Sequence, residues 1–236
     1  MPEALLYDLS DSPFCAKARM CLQLKEVAFR RVTLTVGRRR ELRRLSPLGK
    51  VPVLVLGSDI IADSSAIARH LEVRYPEPSL IPADPAARAY CYLLEEWADE
   101  ALYFLVGAFK WLNPENRAAA VANTVTEIAG GWPRALVSPF VVHSIRRRYA
   151  AWGYTAAALD QLTERMRDNL AVLTRLLGDR PYLLGRTLTL GDLAAFAQVA
   201  WMRRYAEARL LEPVPAVVRW LDRIAALPAV ADALPS

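Results

Sequence analysis

The residue pattern changes character once, at a proline-dense stretch. Between Tyr75 and Pro85 stand Pro76, Pro78, Pro82 and Pro85. Proline fixes φ and has no backbone N–H, so this density stops helix and strand alike and marks a linker. Before the linker, strand-like and helix-like stretches alternate. Residues 4–9 are a short apolar run and read as a strand. Ser12-Pro13 reads as a helix start, with serine as the cap and proline at the first helical position. Met20, Leu24 and Val27 continue a helical stripe. Residues 29–34 alternate like a strand, and 38–45 read as a short helix. Residues 51–56 and 59–62 flank Gly57-Ser58, a hairpin signal. Residues 64–75 are helical, with Ile67, Leu71 and Tyr75 four apart. The order β-α-β-α-β-β-α predicts a mixed sheet with helices on its faces.

After the linker, helix formers dominate and β-branched runs vanish. Asp84-Pro85 repeats the cap-and-proline start. The pattern predicts helices over 86–112, 115–129, 139–151, 156–178, 190–209 and 214–227, with Gly130-Gly131-Trp132-Pro133 as a break. Two domains are therefore expected: an α/β domain over residues 1–78 and an all-helical domain over 86–236.

Composition narrows the function classes. With 54% hydrophobic and 23% charged residues, the chain suits a folded domain with a polar surface and not a disordered one. No uncharged apolar run approaches about 18 residues, so no membrane span or membrane partner is expected. The start, Met1-Pro2-Glu3-Ala4, lacks a secretory pattern. Three cysteines, Cys15, Cys21 and Cys91, cannot all pair within the chain, which points to a reducing, cytoplasmic setting. His70 and His143 have no ligand spacing, so no metal is expected.

The net charge is +5, and only four of the 30 basic residues are lysine. Arginine clusters at Arg38-Arg39-Arg40-Glu41-Leu42-Arg43-Arg44 and at Arg146-Arg147-Arg148. No nucleic-acid module accompanies them, so no nucleic-acid partner is expected and both read as solvated helix faces. Residues 1–80 hold 13 basic against 9 acidic side chains. That local excess suits a small anionic ligand.

Four motifs carry the functional signal. Ser12-Pro13-Phe14-Cys15-Ala16-Lys17-Ala18-Arg19 follows the first strand, where helix N–H groups favour an anion such as a thiolate. In Ser46-Pro47-Leu48-Gly49-Lys50-Val51-Pro52-Val53-Leu54, a cis Pro52 frees the backbone of Val51 for an extended peptide. Asp63-Ser64-Ser65-Ala66-Ile67 opens a helix whose free N–H groups suit a carboxylate, with Asp63 suited to an ammonium. Gly185-Arg186-Thr187-Leu188-Thr189-Leu190-Gly191-Asp192 offers Thr189 and Asp192 as a capping box. Each alone is compatible with an ordinary cap, turn or core residue.

In this order the motifs resemble the glutathione S-transferase family, serine-type, with an N-terminal motif similar to its zeta, omega and beta classes. The resemblance implies a thioredoxin-like α/β domain followed by an all-α domain, glutathione as co-substrate, and a homodimer. Ser12 takes the catalytic place, hydrogen-bonding the glutathione sulfur and favouring its thiolate. Val51 and Pro52 pair with the cysteinyl unit, Ser64 and Asp63 take the γ-glutamyl end, and Lys50 and Arg38 reach the glycine carboxylate. Asp63 replaces the usual Glu or Gln and is one methylene shorter. The expected reaction is thiolate attack on a small electrophile, or glutathione-dependent isomerisation. Tyr103, Phe104, Phe109 and Trp111 are candidate walls of the electrophile pocket, or core of the bundle. Cys15 supports a rival route, a mixed disulfide with glutathione in a thiol–disulfide oxidoreductase. A third alternative is a non-catalytic binding or regulatory protein of the same fold.

Overall fold

The computed structural model describes residues 4–231 and 233. Met1-Pro2-Glu3, where no leader pattern is expected, and residues 232 and 234–236 of the expected helical domain lie outside the described residues.

Four strands form one sheet. β1 (Ala4–Asp8) and β2 (Phe29–Thr33) pair in parallel, and β3 (Val53–Leu56) and β4 (Asp59–Ala62) form an antiparallel hairpin. β3 pairs antiparallel with β1, giving the order β2-β1-β3-β4. Parallel neighbours need a crossover, supplied by α1 (Pro13–Leu24). Period-two alternation splits the central strands between two cores. Leu6 and Leu54 pack into the main core with Met20, Ile67 and Leu71. Tyr7 and Val53, next along the same strands, face Val32 and Leu42. Leu42 lies on α2 (Arg39–Leu45), and Ile67 and Leu71 on α3 (Ser64–Arg74). The sheet is thus covered on both faces, as the alternating pattern implies.

The rest is helical. α4 (Pro85–Trp97) and α5 (Tyr103–Leu112) are joined by a π-helical turn, Ala98–Leu102. Then come α6 (Arg117–Ala120), α7 (Thr126–Ala129), α8 (Arg134–Ala151) and α9 (Leu159–Leu177). α10 (Leu190–Val199), α11 (Pro215–Ala225) and α12 (Pro228–Ala231) complete the chain. α9 buries Leu162, Met166, Leu170, Leu173 and Leu177 at helical spacing, so it is amphipathic. α10 is buried on every side and packs against both α1 and α4. Asp192 anchors it: Oδ2 accepts from Thr189 N at 3.0 Å and Oγ1 at 2.8 Å, and Oδ1 from Leu183 N at 2.8 Å and Trp220 Nε1 at 3.1 Å.

Four helix spans differ from the sequence pattern. The expected helix 115–129 is divided into a 3-10 turn (Pro114–Asn116), α6, a π-helical turn (Val121–Val125) and α7. The expected helix 86–112 has the π turn at its centre, where Asp99 reaches inward to Lys17. The expected helix 190–209 stops at Val199 and continues as 3-10 turns interrupted by the extended Tyr205, beyond which Glu207 accepts from Asn113 Nδ2 and Asn116 Nδ2, both at 2.7 Å. The helix expected at 139–151 begins at Arg134, behind Pro133, and carries Pro139 inside it. Gly107 of α5 explains how α8 sits so close: a Cβ there would stand 1.7 Å from the Tyr149 hydroxyl.

Candidate active site

Ser12 caps α1, and its Oγ accepts from Cys15 N at 3.4 Å. The loop before it is held from all sides. Arg19 is buried on α1 and donates to Asp8 Oδ1 at 2.6 Å and to the carbonyls of Leu9 and Ser10. Arg31 of β2 binds Asp8 and gives Ser10 Oγ a 2.7 Å bond. The Glu127 carboxylate of α7 accepts from Ser10 N at 2.9 Å and Ser10 Oγ at 2.9 Å.

Asp11 is the densest of these ties. Its buried carboxylate accepts from Lys110 Nζ at 2.6 Å, Thr124 Oγ1 at 2.6 Å and Arg204 at 2.9 Å. Lys110 is 1% exposed on the apolar α5 and lies 3.9 Å from the centre of the Trp201 ring. Burial pulls its ammonium down to about 8, against the pull of Asp11 in the other direction. The helical region therefore grips the loop that presents Ser12.

The two candidate sulfur-handling residues sit differently. Ser12 is half-buried and lines a cavity of about 170 Å³, between Pro13 and Ala16 on one side and Phe196, Trp201 and Arg204 on the other. Cys15 is fully buried, and burial, then the Asp8 carboxylate, pushes its thiol far above the ordinary cysteine range. Cys21 is also buried, its thiol pushed up to about 12.

The remaining first-domain candidates lie along β3 and α3. The Val51–Pro52 peptide is cis. Among the described residues, nothing takes the Val51 N–H or carbonyl. Asp63 has φ 89°, and its Oδ1 accepts from Ser65 N at 2.9 Å and Ala66 N at 3.0 Å. Part of the acidic side chain expected to meet an ammonium thus caps its own helix. Ser64 is 1% exposed and its Oγ is without a partner. Lys50 and Arg38 are exposed, and Arg38 is engaged by Glu41 at 3.1 Å.

Beneath Ser64 lies a cluster that the motifs did not reveal. Lys17 Nζ, with no exposed surface, contacts Ser65 Oγ at 3.0 Å, Glu95 at 2.9 Å and Asp99 at 2.5 Å. Two carboxylates share one ammonium here. Burial and the second carboxylate raise Asp99 to about 6, while Lys17 and Ser65 pull it down. Between about pH 4 and 6 the unfolded chain loses this proton while the folded chain keeps it. Asp99 therefore contributes stability at low pH that is lost as the pH rises through that window. Asp99→Asn removes this titration. In urea melts, the stability of the variant relative to the parent is expected to rise by on the order of 1–2 kcal/mol between about pH 4 and 6. A constant difference across that range would contradict the shift.

The aromatic candidates separate. Phe109 is buried in the core. Tyr103 meets Phe14, two residues after Ser12, with ring centres 4.6 Å apart, and Phe104 packs on Tyr103, Trp152 and Tyr154. Trp111 lies 4.9 Å from the Lys110 ammonium. None of Tyr103, Phe104 and Trp111 lines the cavity beside Ser12, whose aromatic walls are Phe196 and Trp201. Of the residues missed by motif reading (Asp11, Lys110, Arg204 and the Lys17 cluster), Lys110 carried a legible signal. A lone charge inside an apolar helix, such as Lys110 within Phe109-Lys110-Trp111, requires a buried partner.

Among the described residues, no group of three or more His, Cys, Asp or Glu is placed to hold a metal ion, and no helix is long and apolar enough to cross a membrane.

A four-stranded thioredoxin-like sheet with a capped helix after β1, a cis-proline before β3, and a helical region behind it define a glutathione-transferase fold. The comparisons agree. The family model for the glutathione S-transferase N-terminal domain matches residues 6–79, and that for the C-terminal domain matches 156–223, together more than half of the chain. The chain belongs to the glutathione S-transferase family, whose members use glutathione as co-substrate. Protein LigF of Sphingobium sp. strain SYK-6 is 26% identical over 196 residues, covering 80% of this chain and 75% of that one. The crystal structure of LigF, described as a beta-etherase, superposes with a TM-score of 0.76 at 25% identity, covering 98% of each chain. Glutathione S-transferase 1 of Dianthus caryophyllus is 43% identical over 91 residues, 37% of this chain and 41% of that one. A glutathione S-transferase of Methylobacterium radiotolerans, solved with glutathione sulfonate, has a TM-score of 0.72 at 27% identity and covers 99% of this chain and 95% of that one.

Proposed function

We propose that the chain is a serine-type glutathione transferase in which Ser12 donates a hydrogen bond to the sulfur of bound glutathione. The carrying observation is the contrast at the start of α1: Ser12 faces an open cavity, while Cys15 is sealed beneath it. A free thiol ionises near pH 8.5. A hydroxyl donor and the positive end of α1 both favour the thiolate. The thiol proton leaves to solvent, the sulfur lone pair forms a bond to an electrophilic carbon, and the leaving group departs with the displaced electron pair. In an isomerisation, the same thiolate adds to the substrate and is expelled again. A mixed disulfide at Cys15 lacks both access and a thiolate, so the oxidoreductase route is set aside.

Glutathione would lie along the edge formed by Val51, Pro52 and α3, its cysteinyl unit pairing with the free Val51 backbone. Ser64 and the open face of Asp63 take the γ-glutamyl carboxylate and amine, and Lys50 the glycine carboxylate, with Arg38 behind it. The electrophile is a small molecule with an apolar body, suited to Phe196 and Trp201. The likeness to LigF makes an ether with an electrophilic carbon the substrate class to assay first. Family members usually dimerise. The exposed Val73 of α3 and Tyr90 and Leu93 of α4 support a homodimer through these helices.

Among the described residues the Ser64 hydroxyl has no partner to lose, but it lies just under the surface, so a ligand carboxylate takes it once a small side-chain rotation brings Oγ out. Ser64→Ala is expected to raise the KM for glutathione about tenfold or more, as for a lost hydrogen bond to a charged group, with little change in kcat. An unchanged KM in steady-state kinetics removes Ser64 from the glutathione site.

A further inference from the structure

The segment 128–159 carries Arg134, Arg146, Arg147 and Arg148 and not one acidic residue. The rest of the helical region, 81–127 and 160–236, holds 13 basic against 16 acidic side chains. At the centre of the segment is α8, which neither family model covers. Its core side buries Val142 and Tyr149. The side away from the core does not turn polar along its whole length. Leu136, Phe140, His143 and Arg147 follow one another at spacings of four, three and four, which is one stripe of a helix, and all four are exposed. Trp132 stands in the turn just ahead, four residues before Leu136. Trp132, Leu136 and Phe140 are 63%, 62% and 78% exposed, and large apolar side chains grouped in this way mark a contact surface. The stripe is thus apolar toward the N-terminus of α8 and basic toward its C-terminus, where Arg146 stands beside Arg147. Phe140 and Arg147 are about 10 Å apart along the helix axis.

Charge and shape select the occupant. A second copy of this chain, docked about a two-fold axis, would set arginine against arginine, and like charges facing each other are costly. The exposed group Val73, Tyr90 and Leu93 differs: Glu72, Arg74, Arg88 and Glu96 stand within a few residues of it, and such mixed signs suit contact between two copies. An anionic bilayer surface satisfies both halves of the α8 stripe. The apolar face of a helix lying in that surface sinks about 5–10 Å into the boundary between headgroups and acyl chains, while its arginines reach the phosphates. Among the described residues no helix is long and apolar enough to cross a membrane, and a helix that lies on the surface need not be.

We infer that α8 and the turn before it dock the chain on anionic lipid surfaces: Trp132, Leu136 and Phe140 enter the acyl boundary, and Arg146 and Arg147 pair with lipid phosphates.

The probe is vesicles of equimolar phosphatidylglycerol and phosphatidylcholine, sedimented with the full chain. The chain is expected to bind them, to bind phosphatidylcholine alone at least about tenfold more weakly, and to be released by salt, since exposed charges are screened. Leu136→Ser/Phe140→Ser is expected to weaken binding about a hundredfold, as for two apolar side chains left in water, and Arg146→Gln/Arg147→Gln about tenfold. All four side chains are exposed, so the melting temperature should stay at the parent value. Depth is read with bromine-labelled acyl chains, which should quench tryptophan fluorescence in the parent and not in Trp132→Phe. No sedimentation with the mixed vesicles overturns the proposal; a concentration-dependent mass abolished by Leu136→Ser/Phe140→Ser would then assign the face to a second copy. Equal sedimentation of the parent and that variant also overturns it, as does binding to phosphatidylcholine as strong as to the mixture, or quenching unchanged in Trp132→Phe. If the double serine variant melts early, Phe140→Ser alone is the second test, and unchanged binding there overturns the proposal. None of these readouts depends on the role of Ser12.

Discussion

Ser12→Ala is expected to lower kcat for glutathione conjugation about a hundredfold at neutral pH, while glutathione still binds. One well-placed donor to a developing or stabilised anion is worth about 10²–10³ in rate. The expected loss comes from the thiolate fraction. Each unit by which the bound thiol pKa rises costs about 1.4 kcal/mol, and a shift of about two units returns the sulfur to its free value near 8.5. The deficit should therefore shrink as the assay pH is raised, because the thiol then ionises without help. Ser12 is half-buried, and its Oγ accepts the 3.4 Å bond from Cys15 N and lies beside the Cys15 thiol, so its loss weakens one helix cap and one contact to a buried thiol. That cap is worth about 1 kcal/mol. A pH-independent deficit would assign Ser12 to positioning, and an unchanged kcat would remove it from the chemistry.

Asp11→Ala should produce the largest stability loss. The substitution strips a buried carboxylate from Lys110, Arg204 and Thr124 at once. Removing one side of a buried pair costs about 3–5 kcal/mol, because the remaining charge stays buried and unpaired. For a chain of this size that corresponds to a fall in Tm of about 10 °C. Activity should fall as well, since Asp11 precedes Ser12 on the loop. The account is checked by compensation. In Asp11→Asn/Lys110→Met the unpaired cation is gone, and an apolar side chain fills the space beside Trp201. Calorimetry should show part of the lost Tm restored relative to Asp11→Ala. Equal or greater loss in the double variant would mean that the ion pair is not what ties the loop to α5.

Much of this fold can be read from the sequence, and the reason is local. The Ser12-Pro13 and Asp84-Pro85 starts and the Gly57-Ser58 turn act within a few residues, and each marks an element that the structure contains. The cis peptide at Pro52 and the Asp192 anchor of α10 were legible through motifs. What escaped was set at long range. The π turn at Ala98–Leu102 brings Asp99 to Lys17, 82 positions away. Beyond Val199 the chain runs in 3-10 turns, and Glu207 there meets two asparagines about 90 positions earlier. The basic excess of the first 80 residues also changed meaning. Lys17, Arg19, Lys25 and Arg31 are consumed by internal pairs with Asp99, Asp8 and Glu72. What remains to attract an anion there includes Lys50 and the arginines of α2. The aromatic residues of 103–111 suit either a pocket wall or the bundle core in the sequence, and helical rotation divides them: Phe109 goes to the core, Tyr103 to Phe14, and Trp111 to Lys110.

The central claim, that Ser12 lowers the pKa of the bound thiol, is open to direct titration. Ultraviolet difference spectra of the glutathione complex report thiolate as the pH is raised, with no electrophile and no turnover. The parent chain should bind glutathione whose thiol ionises well below the free value of about 8.5, and Ser12→Ala should bind it with the thiol returned to that value. Identical titrations in the two proteins would contradict the account.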